Sequence, residues 1–149
     1  MNVDLAYGRN GLRVTLPDRA DVVRPTYVAG LPDEPAALRQ AMRAPISGPS
    51  LRQLAAGRRR VVVTHSDITR ATPNDRILPV VLDELKLAGV ASDDITLINA
   101  LGTHRPQTDA ELRALLGACL DGTPIVARYR CLQHDAWDDA NLVPLLTTS

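Results

Sequence analysis

Phenylalanine is absent from this 149-residue chain, and aromatic residues as a whole make up 3% of it. That leaves no platform on which unpaired bases could stack. Cysteine is almost as scarce. Cys119 and Cys131 form neither a Cys-x-x-Cys pair nor a disulfide framework, so reduced thiols in a reducing compartment are expected, and neither stands in a recognisable nucleophile context. Lysine occurs once, as Lys86, among seventeen basic side chains, so any chemistry needing an amine nucleophile has a single candidate. Neither sign of charge is in excess: seventeen acidic residues balance the seventeen basic ones, and no overall field draws the chain to nucleic acid or to an anionic membrane. The one basic run, Arg58–Arg60, lies between a glycine and an apolar stretch and reads as a solvated strand entrance rather than a phosphate patch. No apolar run approaches the ~20 residues of a membrane span and no basic-then-apolar leader is present, so a cytoplasmic protein is expected. Gly-x-Gly-x-x-Gly, the P-loop pattern and Gly-x-Ser-x-Gly are all missing, which removes the usual phosphate cradles and the nucleophile elbow.

What is present is enough for one ordinary domain with a real core. Asn10-Gly11, between Val3–Tyr7 and the alternating Leu12, Val14 and Leu16, predicts an N-terminal β-hairpin closed by a tight turn. A proline-rich stretch follows, with short helices expected over Glu34–Met42, capped by Asp33, and over Ser50–Ala56, closed by Gly57. From Arg60 the pattern becomes regular. Val61–Thr64 reads as a strand, and a helix from Asn74 or Asp75 to Ala88 puts Ile77, Val80, Val81, Leu85 and Ala88 on one face before Gly89 ends it. Ile95–Ala100 is a second strand, and Thr108 with Glu111 forms a capping box for a helix that Gly117 closes. Pro124–Arg130 is expected as a third strand. Alternating strands and helices with short connections predict an α/β fold, a mainly parallel sheet built from right-handed βαβ units.

In such sheets ligands bind in the crevice outside the carboxyl ends of the strands, and here two successive strands end in loops rich in reactive groups, THSDITRATPND and ALGTHRPQTD. Strands that are neighbours lie about 4.8 Å apart, which would bring Asp67, Thr69, Arg70, Thr103, His104 and Arg105 towards one small ligand. Each loop runs into a helix N-terminus, which favours an anion, and the Arg70 guanidinium is a permanently charged fork suited to a carboxylate or phosphate. The competing reading is that Asp67 and Thr69 satisfy turn backbone groups while Arg70 pairs with Asp67 or Asp75. His104 is the leading candidate for proton transfer, because an imidazole titrates near neutrality. His65 lies on a strand whose alternation sets it apart from its immediate neighbour's face, and His134, in QHDAWDD, has an aspartate beside it that could orient its ring. The three histidines lack zinc-site spacing, so no metal ligand is assigned.

SDITRATPN at Ser66–Asn74 and LGTHRP at Leu101–Pro106 resemble the N-terminal part of the nickel-dependent lactate racemase family, enzymes that use a nickel-pincer nucleotide. Tyr7-Gly8, PISGPSLRQLA at Pro45–Ala55 and QHDAWD follow that family's order, so the likeness spans nearly the whole chain. The resemblance implies a 2-hydroxyacid racemase or epimerase, in which a histidine removes the hydroxyl proton while hydride passes to the cofactor. It places His104 as the first of two acid/base histidines, Arg70 as the holder of the anionic 2-hydroxyacid, and Asp67, Thr69 and Thr103 along the cofactor pocket. Ala71 stands where the family usually has proline. The second histidine, the cofactor-bearing lysine and the nickel-binding histidine are expected beyond Ser149, and Lys86 does not match that lysine. Residues 1–149 are therefore expected to be the N-terminal catalytic and cofactor-pocket domain of a longer protein, inactive alone, whose partners are the small anionic substrate and the missing C-terminal part, with neither nucleic acid nor membrane. The rival expectations are a stand-alone anion- or nucleotide-binding module, and a mononuclear metal hydrolase using His65, His104 and Asp67.

Overall fold

A computed structural model describes residues 1–141, and the chain divides into two compact units, Met1–Gly30 and the remainder from Leu31. The first unit contains the expected hairpin: β1 (Asn2–Leu5) pairs antiparallel with β2 (Leu12–Thr15), Leu5 opposite Leu12. The turn is not the tight two-residue Asn-Gly turn that the sequence predicts. Asn10 keeps a negative φ, and the glycines Gly8 and Gly11 carry the positive angles of a longer loop. Pairing stops at Leu5 and Leu12, so six residues must be bridged, and a side chain at Gly11 would meet the Leu5 carbonyl oxygen at 3.2 Å.

In the second unit, β3 (Val61–Ser66), β4 (Ile95–Ala100) and β5 (Arg130–Gln133) form a parallel sheet in that order. The α/β class with a parallel sheet and an N-terminal hairpin is as expected. β3 and β4 are direct neighbours, and they end level, with Ser66 opposite Ala100. Parallel strands require crossovers, and α3 (Asn74–Leu87) and α4 (Asp109–Leu116) supply them. Leu78, Leu82 and Leu85 of α3 pack with Ile95 and Leu97 of β4 and Leu116 of α4 into one apolar core.

Three further expectations are corrected. β3 continues two residues past Thr64, drawing His65 and Ser66 into the ladder with Asn99 and Ala100. The buried side of α3 is wider than the predicted stripe: Val80 and Leu85 are buried, Ile77, Val81 and Ala88 only partly, and Leu78 and Leu82 take their place in the core. Finally, Pro124–Arg130 is not a strand. Ile125–Arg128 makes a single helical turn, α5, and pairing with β4 begins only at Arg130. A short apolar run does not distinguish a strand from a buried helical turn, and here Ile125 plugs the core, fully buried, while Arg128 reaches back to Asp121.

α1 (Glu34–Arg43) and α2 (Leu51–Ala55) lie against α3. Asp33 caps the first and a Ser50–Gln53 capping box starts the second. Both are tied to α3 through Glu84, a carboxylate with no exposed surface that accepts from Arg43 at 2.7 Å and Arg52 at 2.6 Å. These two bonds hold the Glu84 carboxyl down at about 2. α3 ends in a Schellman motif, with the Gly89 and Val90 amides returning to Lys86 and Leu85. No helix among the described residues is long and apolar enough to cross a membrane.

Candidate functional site

The loops after β3 and β4 rise from adjacent strand ends and enclose an open hollow of about 200 Å³ lined by Asp67, Arg70, Ala100, Leu101, Gly102, Thr103 and His104. Asp67 follows the last residue of β3 and begins a turn closed by the Arg70 amide on the Asp67 carbonyl at 3.2 Å. One carboxylate oxygen of Asp67 accepts from the Thr69 amide at 3.1 Å and the Thr69 hydroxyl at 2.7 Å. The other accepts from His104 Nδ1. The competing reading is therefore half right: Asp67 and Thr69 do satisfy the turn, but the carboxylate also reaches across to the second loop. Asp67 is almost fully buried, and the Thr69 hydroxyl first, then the His104 ring, hold its carboxyl below the usual carboxylate range.

His104 sits on a turn in which its own amide donates to the Leu101 carbonyl at 3.1 Å. Its ring stays 43% exposed. With Nδ1 donating to an ionised carboxylate, the imidazole is fixed in the tautomer whose Nε2 carries a lone pair, the arrangement a proton acceptor needs. Among the described residues the Arg70 guanidinium makes no ion pair, with Asp67, Asp75 or any other acid. Its positive charge is free in the hollow beside His104. Thr103 lies on the same wall.

Other candidates go elsewhere. Arg105 is engaged by Glu111 through bonds of 2.9 and 2.7 Å and by the Pro106 carbonyl, so it braces the start of α4. His65 is buried, its Nδ1 beside the Ser66 carbonyl at 3.1 Å, and burial pushes its pKa down. It does not line the hollow. The backbone amide of His134, rather than its ring, is what touches the site's foundation, donating to the Asn99 carbonyl at 3.0 Å. Burial raises both thiols, Cys119 and Cys131, away from reactivity. The His65–His104–Asp67 trio of the hydrolase reading is not assembled, and among the described residues no three His, Cys, Asp or Glu side chains are grouped to hold a metal ion.

Sequence reasoning missed the polar residues beneath the loops. Asn74, buried at the start of α3, donates to the Ser66 carbonyl at 3.0 Å. Asn99 and Gln107, both buried, are joined by a side-chain hydrogen bond, and Gln107 is held in turn by Gln133. A signal was available: Asn99 occupies the inward position of the Ile95, Leu97 alternation, where a buried amide needs partners.

Comparison with known proteins decides the family. The pattern of the lactate racemase N-terminal domain matches residues 7–149. The chain belongs to the lactate racemase N-terminal domain family. It is 29% identical over 146 residues to the lactate racemase of Thermoanaerobacterium thermosaccharolyticum, covering 95% of this chain and 33% of that protein. To the lactate racemase of Lactiplantibacillus plantarum it is 34% identical over 102 residues, covering 68% of this chain and 22% of the relative. The solved structure of the lactate racemase apoprotein from T. thermosaccharolyticum superposes with a TM-score of 0.73 at 28% identity, over 95% of this chain and 32% of that one. The chain thus spans at most about a third of the length of the lactate racemases it matches.

Proposed function

We propose that this chain is the N-terminal part of a longer cytoplasmic 2-hydroxyacid racemase or epimerase of the lactate racemase kind, and that the hollow between the two loops is its half of the active site. One observation carries the reading: the His104 ring and the Arg70 guanidinium, which makes no ion pair among the described residues, share a single hollow, with His104 Nδ1 held by buried Asp67. A 2-hydroxyacid has a carboxylate for an arginine fork and a hydroxyl whose proton an imidazole can take, on adjacent carbons. Arg70 holds the carboxylate. His104 Nε2 accepts the hydroxyl proton and returns it, and Asp67 stabilises the imidazolium that forms. Fixing both groups on loops of neighbouring strands removes the entropy cost of bringing them together.

Inversion at carbon also needs a hydride acceptor, which a nickel-pincer nucleotide would supply when bound. The described residues fit only one side of such a group. Asp67, Thr69 and Thr103 offer a polar wall, whereas Lys86 lines a separate hollow with Pro79, Asp83 and Asp121, and no metal-binding cluster is assembled among the described residues. Covalent attachment and nickel binding fall to the part of the protein beyond this chain, together with the second acid/base histidine. Residues 1–149 alone are therefore catalytically silent.

The test is chiral chromatography of a panel of 2-hydroxyacids, beginning with lactate, incubated with the cofactor-loaded longer enzyme and its His104→Ala variant. Turnover should fall by at least about a hundredfold, the usual contribution of a positioned acid/base group. Undiminished inversion by the variant would remove His104 from the mechanism, and inversion by residues 1–149 alone would refute the division of the site.

A further inference from the structure

We propose that Gln133, on the outermost strand β5, is a positioning residue for His104: its side chain clamps the far end of the loop that carries His104, while the backbone of the next residue, His134, holds the near end. The inference rests on the reading of His104 as the proton-carrying group. Its evidence is the hydrogen bonding under residues 101–106. At the far end of the loop the Gln133 side-chain amide pairs with the backbone of Gln107 as a strand would, Oε1 accepting from the Gln107 amide at 2.8 Å and Nε2 donating to the Gln107 carbonyl at 2.8 Å. At the near end the next residue, His134, donates its backbone amide to the Asn99 carbonyl at 3.0 Å. The same Asn99 carbonyl accepts from the Leu101 amide at 3.1 Å, and the Leu101 carbonyl accepts from the His104 amide. The last residue of β5 and the residue after it thus fix both feet of a loop in which they take no other part.

The orientation of every amide in this network is forced by the backbone. The Gln107 amide can only donate, so Gln133 must offer it Oε1. The Arg105 carbonyl can only accept, so Gln107 turns Nε2 towards it at 3.2 Å and its own Oε1 towards Asn99. Asn99 must then donate Nδ2, which strands its Oδ1: that atom is buried and without a partner among the described residues. A buried unpaired carbonyl normally counts against a fold. An apolar residue at position 99 would avoid it, but would also leave Gln107 free to rotate and release the Arg105 carbonyl. The arrangement sacrifices one acceptor to hold residues 105–107, which immediately follow His104. Asp67 fixes the ring of His104 from one side, and Gln133 fixes the chain at Gln107, three residues beyond it.

The experiment compares Gln133→Met, which keeps volume and loses both bonds, with Gln133→Asn, which keeps the amide but is one methylene too short. Amide hydrogen exchange is read on the protein, and kcat and KM for lactate on the cofactor-loaded longer enzyme. Exchange at Gln107, and through the loop at His104, should accelerate about tenfold or more in Gln133→Met, with amides of α3 and β3 unchanged. kcat should fall about tenfold or more while KM stays within about threefold, because the carboxylate site at Arg70 is on the other loop. If Gln133→Met does not fold, Gln133→Asn should give the same local pattern. Unchanged exchange in residues 101–107, acceleration spread evenly over the sheet, or an unchanged kcat in the folded variant would overturn the proposal. Full turnover by His104→Ala would instead remove the role of His104, while the exchange data would still decide whether the clamp exists.

Discussion

At the scale of single residues, the hollow owes its character to how one buried aspartate divides its oxygens. Asp67 spends one on its own turn and one on His104. Asp67→Asn keeps the shape but puts an amide where a carboxylate was, so the imidazole loses the partner that selects its tautomer and stabilises its charged form. By analogy with other carboxylate–histidine pairs, kcat should fall by about 10²–10⁴ with little change in KM. Arg70→Lys keeps the charge and loses the fork, so KM for the 2-hydroxyacid should rise about tenfold while kcat changes less. Both are measurable by chiral chromatography. Because the Asp67 carboxyl lies below its ordinary value, the order it imposes is complete above the unfolded carboxyl's pKa near 3.9 and is lost only as pH falls further. No activity change between pH 5 and 8 should trace to Asp67. At this scale the sequence was most informative: two loops rich in polar and charged residues, each following a short apolar run, already suggested convergence. It could not say that Arg105 would be engaged by Glu111 while Arg70 makes no ion pair among the described residues, since that depends on a loop side chain meeting one in the first turn of α4, six residues on.

At the scale of elements, the strands and helices that carry regular periodicity were legible, and their caps more so. Thr108 and Glu111 form their capping box, and Gly89 ends α3. What was not legible was the behaviour of short segments whose conformation is set by neighbours. β3 runs on through His65 and Ser66 because β4 offers backbone partners that far, and Ile125–Arg128 curls because Ile125 has a core position to fill. Gly117 shows how tightly such a junction is built. It has φ of 70°, and an added Cβ would lie 3.0 Å from Cβ and 3.2 Å from Cα of Asp75, in the first turn of α3. Gly117→Ala should cost about 2–3 kcal/mol in urea unfolding, from backbone strain and from pushing the ends of α3 and α4 apart. Because the first turn of α3 holds the end of β3 through the Asn74 side chain on the Ser66 carbonyl, the variant should also loosen the Asp67–Arg70 turn that follows it.

On the scale of the whole molecule, α1 and α2 are joined to the sheet layer by charge as well as by apolar contact. Glu84 is wholly buried between two arginines that remain partly exposed. The periodicity of α3 puts Glu84 on the same face as Val80, Val81 and Ala88, but a glutamate is ordinarily read as solvent-facing whatever its position. Glu84→Ala leaves two guanidinium groups facing a small void, and should destabilise the protein by about 2–4 kcal/mol. With the folded carboxyl at about 2, the stability it contributes is fully present above the unfolded value near 4.3 and is lost as pH falls from there towards 2. Acid unfolding of the wild type should therefore be steep in that window, and of Glu84→Ala much flatter, as followed by circular dichroism.

The central claim is that Arg70 and His104 read the two ends of one 2-hydroxyacid. The most direct measurement is a crystal structure of the cofactor-loaded longer enzyme with an unreactive substrate analogue. The predicted result is a carboxylate in the Arg70 fork, with the 2-oxygen within about 2.6–3.2 Å of His104 Nε2. An analogue bound with its carboxylate on another cation, or with its 2-oxygen turned away from His104, would contradict the account.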